Sequence, residues 1–379
     1  MSNKRSIFED VATDKPAETA PKGGLIDAGK TGARRAIAAW LLVLFALVAA
    51  MIIVGGLTRL TDSGLSITEW KPVTGAIPPM SEAVWQEEFA KYKEIPEYQI
   101  QNKGMSLSEF KVIYWWEWGH RQLGRIVGLV WALGFFYFLI RRQIPKGWTG
   151  RLVLVGALGG LQGAIGWWMV SSGLSGRMLD VASYRLATHL GLAFVILALL
   201  AWFAWQLQRS EMELFQARRG QENRLVTLAT VLLVLAFVQI LSGALVAGID
   251  AGRGYIDWPM MNGEFLPSES FDYEPFWSNF FENPALVQFN HRLLGYITLL
   301  VTLYLWYSSR SSAIVATRRA FVWVLAAVLA QMVLGIITVL NAAPWQWAIL
   351  HQLGAIIVIV SVLHARFFDD FKFRLCCPV

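Results

Sequence analysis

The chain has 379 residues, of which 55% are hydrophobic, 13% aromatic and only 16% charged. That composition is too apolar for a soluble protein with one or two cores and marks a polytopic membrane protein. The net charge of +6 is scattered, with no basic run or aromatic-interleaved patch, so it reports topology and excludes a nucleic-acid partner.

Residues 1–35 are polar and carry Glu9, Asp10, Asp14 and Glu18. Acids there argue against a cleaved secretory signal and an acid-poor transit peptide, and the segment reads as a cytoplasmic arm of a bacterial inner-membrane protein. Eight stretches then approach the roughly 20 apolar residues that a span requires: 36–58, 118–140, 151–171, 187–207, 225–248, 287–308, 319–340 and 347–366. Short loops rich in Lys and Arg stay on the cytoplasmic side. Lys4, Arg5, Arg34 and Arg35 precede the first span; Arg141, Arg142, Lys146 and Arg151 join spans two and three. Arg209, Arg218, Arg219 and Arg224 join four and five, and Arg310, Arg318 and Arg319 join six and seven. Both termini are therefore expected in the cytoplasm, with the long loops 59–114 and 249–286 facing outward. Cys376 and Cys377 are adjacent near the C-terminus, where no structural disulfide is expected; Pro378 argues against reading "CCPV" as a prenylation box.

The chain repeats itself. "GGLTRLTDSGLSITEWKPVTGAIPP" (55–79) aligns without a gap on "GALVAGIDAGRGYIDWPMMNGEFLP" (243–267), matching Gly55/Gly243, Asp62/Asp250, Trp70/Trp258 and Pro79/Pro267. "HRQLGR" (120–125) answers "HRLLGY" (291–296), "QGAIGWWMV" (162–170) answers "QMVLGIITV" (331–339), and "THLG" (188–191) answers "HQLG" (351–354). With four spans in each half, the halves enter the membrane in the same sense, related by an axis along its normal. The expected fold is all-α: eight transmembrane helices as two pseudo-twofold-related parallel four-helix bundles. They would occupy 36–208 and 225–367, joined by a cytoplasmic linker at 209–224 and followed by a tail at 368–379.

Four of the five histidines, His120, His189, His291 and His351, stand at the outer start of the second and fourth span of each half. Polar rings inside lipid are costly and tend to serve a cofactor, an ion path or a partner. Two pairs at matched depth suit a planar cofactor with two axial ligands, and neutral imidazole suits haem iron. A closed zinc site needs four ligands, whereas each half supplies two histidines and no cysteine nearby. His364 has no counterpart in the first half and reads as interfacial. Gly119, Gly124 and Gly128 near His120, Gly191 near His189, and Gly295 and Gly354 in the second half would admit a macrocycle or allow close helix packing. Arg121, Arg125, Arg185 and Arg292 would meet haem propionates or snorkel to the interface.

The halves differ at one position. Glu117 stands three residues before His120, but Gln288 stands three before His291. Glu117 is either a functional acid beside a cofactor, acting as a base or stabilising positive charge, or a residue favoured near the N-terminus of span two.

These motifs, with "EWGHRQLGR", "THLG", "FNHRLLGY" and "LHQLG" at these spacings, resemble haem A synthase of the proteobacterial and mitochondrial type, from about residue 36 onward. The resemblance implies an oxidoreductase of cytochrome oxidase assembly that converts the C8 methyl group of haem O to a formyl group by successive hydroxylations. It implies that His120 and His189 receive haem O, that Glu117 is needed for turnover, and that His291 and His351 ligate a resident haem b through its iron. The expected partners are haem O, haem O synthase, cytochrome oxidase assembly factors, membrane lipid and an electron-transfer partner, with the haem sites toward the periplasm. Some bacterial members carry paired cysteines in the outward loops; this chain has none there, which excludes thiol chemistry in those loops. The competing readings are a di-haem cytochrome b electron-transfer subunit and a transporter built from parallel repeats.

Overall fold

The computed structural model describes residues 31–176, 179–219 and 221–370. Most of the 1–35 arm, with Lys4 and Arg5, and the end of the tail, with Cys376 and Cys377, lie outside the described residues. Among the described residues the regular structure is helical, and the single strand-like pairing is a bridge between Met261 and Glu264.

Eight long helices carry the architecture: α1 (Thr31–Leu60), α2 (Leu107–Ile140), α3 (Thr149–Val170), α4 (Ser183–Leu207), α5 (Asn223–Gly248), α6 (Pro284–Ser309), α7 (Val315–Leu340) and α8 (Trp345–Asp370). Seven of them are long and apolar enough to cross a membrane, so the chain is a multi-pass membrane protein. The exception is α6, whose outer part is diluted by Gln288, Asn290, His291 and Arg292. Leu129, Leu133, Phe136, Leu300 and Trp323 point outward and exposed, a surface that suits lipid. A short helix, Glu211–Arg219, falls in the expected linker.

Packing follows the repeat. Helix α1 lies against α2 and α4, and α3 touches the same two; α5 lies against α6 and α8, and α7 touches those two. The halves meet where α4 packs on α5, α1 on α8, and α4 on α8. At the α4–α5 crossing a Cβ on Gly248 would lie 2.8 Å from Ser183 Cα, so only glycine permits the approach. Across the other contact Gln352 Nε2 donates to the Ile52 carbonyl at 2.6 Å. Inside the first half, Trp40 and Trp131 lie across Gly134 and Gly156, and their indole N–H groups donate to the carbonyls of Val130 and Leu152, both at 3.0 Å. A large ring thus fills the space that a glycine leaves, and its polar atom is satisfied four residues earlier on the same helix.

Helix α2 begins at Leu107, well before the expected 118. Its start is set by a capping box, in which Ser106 Oγ accepts from Glu109 N and Glu109 Oε2 accepts from Ser106 N. At 1.5 Å per residue, 34 residues run about 51 Å against a hydrocarbon layer of about 30 Å, so its first turns project beyond lipid. There they build a second core with the preceding loop. Phe89 stacks on Phe110 at 4.9 Å and Trp85 meets Tyr114 edge-on at 4.9 Å. We call this folded loop, residues 61–106 with the outer end of α2, the cap.

One arginine ties the two halves and the cap together. Arg59, at the end of α1, pairs with Asp62 at 3.1 Å, Asp250 at 3.2 Å and Asp180 at 3.4 Å. Asp62 and Asp250, matched by the repeat, both have left-handed backbones (φ 47° and 51°), a conformation that aspartate tolerates better than most residues.

Within the cap Glu97 is buried. Its Oε1 accepts from Tyr92 Oη and Asn102 Nδ2, each at 3.3 Å, while Oε2 has no partner. Burial, reinforced by Asp180, Asp62 and Glu117, raises its pKa from 4.5 to about 8. Between those values the folded protein keeps a proton that the unfolded chain has lost, so stability falls as pH rises through that window. Glu97→Gln keeps the acceptor and removes the titration. In melts of detergent-purified protein it matches wild type at pH 4–5 and exceeds it at pH 8–9; parallel curves would contradict the assignment.

Candidate functional site

The four histidines project from α2, α4, α6 and α8, and each ring is laid across a glycine of a neighbouring helix. A Cβ on Gly55 (α1) would lie 3.1 Å from His120 Nε2. The corresponding distances to Cε1 are 2.9 Å for Gly166 (α3) and His189, 3.0 Å for Gly243 (α5) and His291, and 2.9 Å for Gly335 (α7) and His351. Such spacings leave no room for a methyl group without moving the ring. Three of these glycines follow a glutamine by four residues, and that glutamine donates to the backbone carbonyl of the histidine. Gln162 reaches His189 O at 2.9 Å, Gln239 reaches His291 O at 2.9 Å and Gln331 reaches His351 O at 2.8 Å.

Sequence reasoning looked for space beside the histidines on their own helices. Gly119 and Gly128 do open onto free space and pack against no neighbouring helix, but Gly124 is met by Met51 and Gly191 by Leu241. Gly295 lies under Gln239, and Gly354 under Gln331. Gly191 and Gly354 therefore do different jobs: with the histidines aligned, Gly191 corresponds to Leu353. The glycines that seat the rings were legible as the recurrent Gln-x-x-x-Gly at 162–166, 239–243 and 331–335.

The rings of His291 and His351 are 6.4 Å apart between centroids, at 82°. Two imidazoles on opposite sides of one metal, each with a metal–nitrogen bond of about 2 Å, would stand roughly 6 Å apart by the same measure. Nδ1 of His189 and of His351 is buried with no hydrogen-bond partner, so neither ring is committed to another side chain through that atom. The donor chemistry and the spacing thus fit an iron held between paired histidines. A groove of about 420 Å³, lined by Leu161, Ile165, Thr188, Gly191, Phe237 and Leu241, opens between α3, α4 and α5.

Glu117 lies in the interior of α2, ten residues past its first, which removes the N-terminal alternative. It is 2% exposed. Four donors surround it: Ser66 Oγ and Ile67 N each reach Oε2 at 2.7 Å, and Arg121 Nη2 and Nε reach Oε1 at 2.6 and 3.0 Å. With donors alone facing it, the site matches a carboxylate. Gln288 occupies the same place in the second half, where it donates to Tyr255 O at 3.2 Å and accepts from Arg292 at 3.1 Å. One acceptor and one donor match an amide. The loop changes in step: the repeat places Gly254 where Ser66 stands, which removes the hydroxyl donor.

Arg121, Arg125 and Arg292 are engaged with the loops, and Arg185 with the last turn of α3. Arg121 also donates to the carbonyls of Ile67 at 2.8 Å and Glu69 at 2.9 Å, and Arg292 to those of Tyr255 at 3.0 Å and Met260 at 2.9 Å. Arg125 holds Lys71 O and Pro72 O, both at 2.9 Å, and Arg185 holds Trp168 O at 2.6 Å. These forks fasten the outer segments to the helices that carry the histidines. His364 lies far along α8, edge-on to Trp205 at 5.2 Å and apart from the other four.

Comparison with known proteins agrees over nearly the whole chain. A family model described as cytochrome oxidase assembly protein (COX15-CtaA) matches residues 38–363. A protein named heme A synthase from Dinoroseobacter shibae is 66% identical over 97% of this chain and 96% of its own length. Proteins of the same name from Ruegeria pomeroyi and Paracoccus denitrificans are 64% and 59% identical, over 97% and 96% of this chain and 97% and 95% of their own lengths. Coverage this broad takes in much of the 1–35 arm, which the motifs alone had left outside the resemblance.

Arg121→Ala leaves a buried carboxylate without its cation and should cost about 3–5 kcal/mol. It should lower the melting temperature in detergent well beyond the loss from Arg125→Ala, whose guanidinium serves no acid. Equal losses would show that the Glu117–Arg121 pair is not the anchor.

Proposed function

We infer that this chain, which belongs to the COX15-CtaA family of cytochrome oxidase assembly proteins, is an oxidoreductase that makes haem A from haem O. The reaction takes four electrons from the C8 methyl carbon. Two successive hydroxylations and the loss of one water leave a formyl group, so each formyl group formed takes up one water oxygen net and releases four protons with the four electrons. The di-haem electron carrier and the transporter are set aside on the identity to named haem A synthases across the full chain.

The architecture belonging to this reading is eight spans in two parallel four-helix bundles, 36–208 and 225–367, joined by the linker 209–224. It is supported by the ring of contacts within each half and the paired contacts between halves. The arginine-rich segments would lie in the cytoplasm with both termini, leaving the cap and the histidines toward the periplasm of a bacterial inner membrane.

The observation that carries the site assignment is the difference at Glu117 and Gln288. In the second half His291 and His351 would hold a resident haem b, whose iron supplies one-electron transfer when bound. In the first half His120 and His189 would receive haem O. The groove between α3, α4 and α5, on the helix that carries His189, would give an apolar substrate a way in from lipid. Glu117, one turn outward from His120 and fixed by four donors, would act as a stationary negative charge that stabilises positive charge developing on the substrate. Its saturation with hydrogen bonds favours that role over a mobile base. Electrons leaving the methyl carbon would pass to a partner through the second half. Haem O synthase and cytochrome oxidase assembly factors would supply substrate and take product.

Pigment extraction from purified protein, resolved by chromatography, should give haem b with haem O or haem A. Glu117→Gln should retain pigment while lowering haem A formation by about 100-fold, the scale for removing one electrostatic contact to a transition state. Undiminished haem A output from that variant would overturn the role of Glu117, and extracts holding only unmodified haem b would overturn the reaction.

A further inference from the structure

The two halves seat their histidines alike at three positions and differently at the fourth. Gly55 corresponds to Gly243 through an offset of 188 residues, and the same offset takes Gln239 to Met51 and Ser242 to Val54. The substitution is one of place as well as register. A Cβ on Gly295, four residues past His291, would lie 3.6 Å from Gln239 Nε2; a Cβ on Gly124, four past His120, would lie 3.3 Å from Met51 Cε. Met51 thus occupies the position of the glutamine against the same face of the following helix.

The consequence falls on the histidine. The His291 ring has Ser242 Oγ at 3.3 Å from its Nδ1 and Gln239 Nε2 beside both ring nitrogens, at 3.2 Å from Nδ1 and 3.4 Å from Nε2, and its backbone carbonyl accepts from Gln239 at 2.9 Å. Among the described residues no side chain hydrogen-bonds the His120 ring. It also sits differently on its glycine, turning Nε2 toward Gly55 where the other three rings turn Cε1 and then Nδ1. The fourth-span ligands do not share this contrast, because His189 and His351 keep the same glutamine contact and the same unpartnered Nδ1. An acceptor on the far N–H of a metal-binding imidazole fixes its orientation and raises its basicity, and removing it weakens binding about 10–100-fold. Ser242 Oγ can accept from His291 Nδ1–H in this way, while Gln239, an N–H donor, holds the His291 carbonyl and flanks the ring.

We propose that Met51 and Val54 make His120 an exchangeable ligand while Gln239 and Ser242 make His291 a lasting one, so that this pair of positions decides which half releases its haem. The inference rests on the reading that the first half takes haem O and the second keeps a resident haem. A substrate site must give up its product at each turnover; a redox site must not. Met51 and Val54 are positioning residues that act through His120 by what they withhold.

The test is haem loss from pigment-loaded protein in detergent, chased with excess apomyoglobin. Wild type should lose haem in a fast phase and a slow phase, with His291→Ala abolishing the slow one. Met51→Gln with Val54→Ser should slow the fast phase about tenfold or more and leave the slow phase in place, which also shows that the variant folds. Met51→Leu should leave both phases unchanged, and Gln239→Met with Ser242→Val should speed the slow phase. An unchanged fast phase in the Met51/Val54 variant, or equal release from both sites of wild type, would overturn the proposal. A slow phase surviving in His291→Ala would instead overturn the assignment of sites on which it rests, and absence of haem from wild type would overturn both.

Discussion

An imidazole ring packed among apolar helices needs space on one face and a satisfied backbone on its own helix. This chain meets both needs with glycine opposite the ring and, at three of the four histidines, a glutamine four residues earlier that donates to the histidine's carbonyl. The arrangement fixes the distance between α1 and α2, α3 and α4, α5 and α6, and α7 and α8. Side chains large enough to hold these helices further apart would separate the two histidines of a pair, and with them the capacity to hold one planar ligand between them. Tryptophan uses the same geometry deeper in the first half, with Trp40 over Gly134 and Trp131 over Gly156.

On this common frame the halves diverge through polar groups and not through shape. Glu117 and Gln288 are nearly isosteric, stand three residues before a histidine, and each accepts from the arginine that follows it. Their surroundings are matched to their charge: donors alone around Glu117, a donor and an acceptor around Gln288. The same separation appears one helix away, where the apolar Met51 and Val54 replace the polar Gln239 and Ser242. One half carries a buried anion and a loosely held histidine, the other a neutral amide and a tightly held one. That division suits a pair of sites of which one turns over and the other stays loaded.

Much of this was legible in the sequence because hydropathy and repetition act over long stretches. The eight long helices, the internal repeat, the four matched histidines and the Glu117/Gln288 difference all follow from spacing alone. The outer end of α2 was hidden because residues 107–117 mix aromatic and polar side chains, although the Ser106–Glu109 capping box marked its start. The cap was hidden because its core depends on contacts between Trp85, Phe89, Phe110 and Tyr114 that no local pattern encodes. The arginines were assigned to an anionic ligand or to the interface; Arg121, Arg125 and Arg292 were found holding loop carbonyls, and Arg185 a carbonyl in the last turn of α3. A single sequence gives no direction for a guanidinium whose acceptor lies 17 to 54 residues away.

The central claim is that one fold presents two paired-histidine sites, one for a substrate and one for a resident haem. The most direct measurement is an experimental density map of the protein purified with its pigments. The account predicts two planar densities, one between His120 and His189 and one between His291 and His351, with Glu117 within reach of the first alone. Pigment bound away from these pairs, or histidine pairs joined by anything other than a planar group, would contradict it.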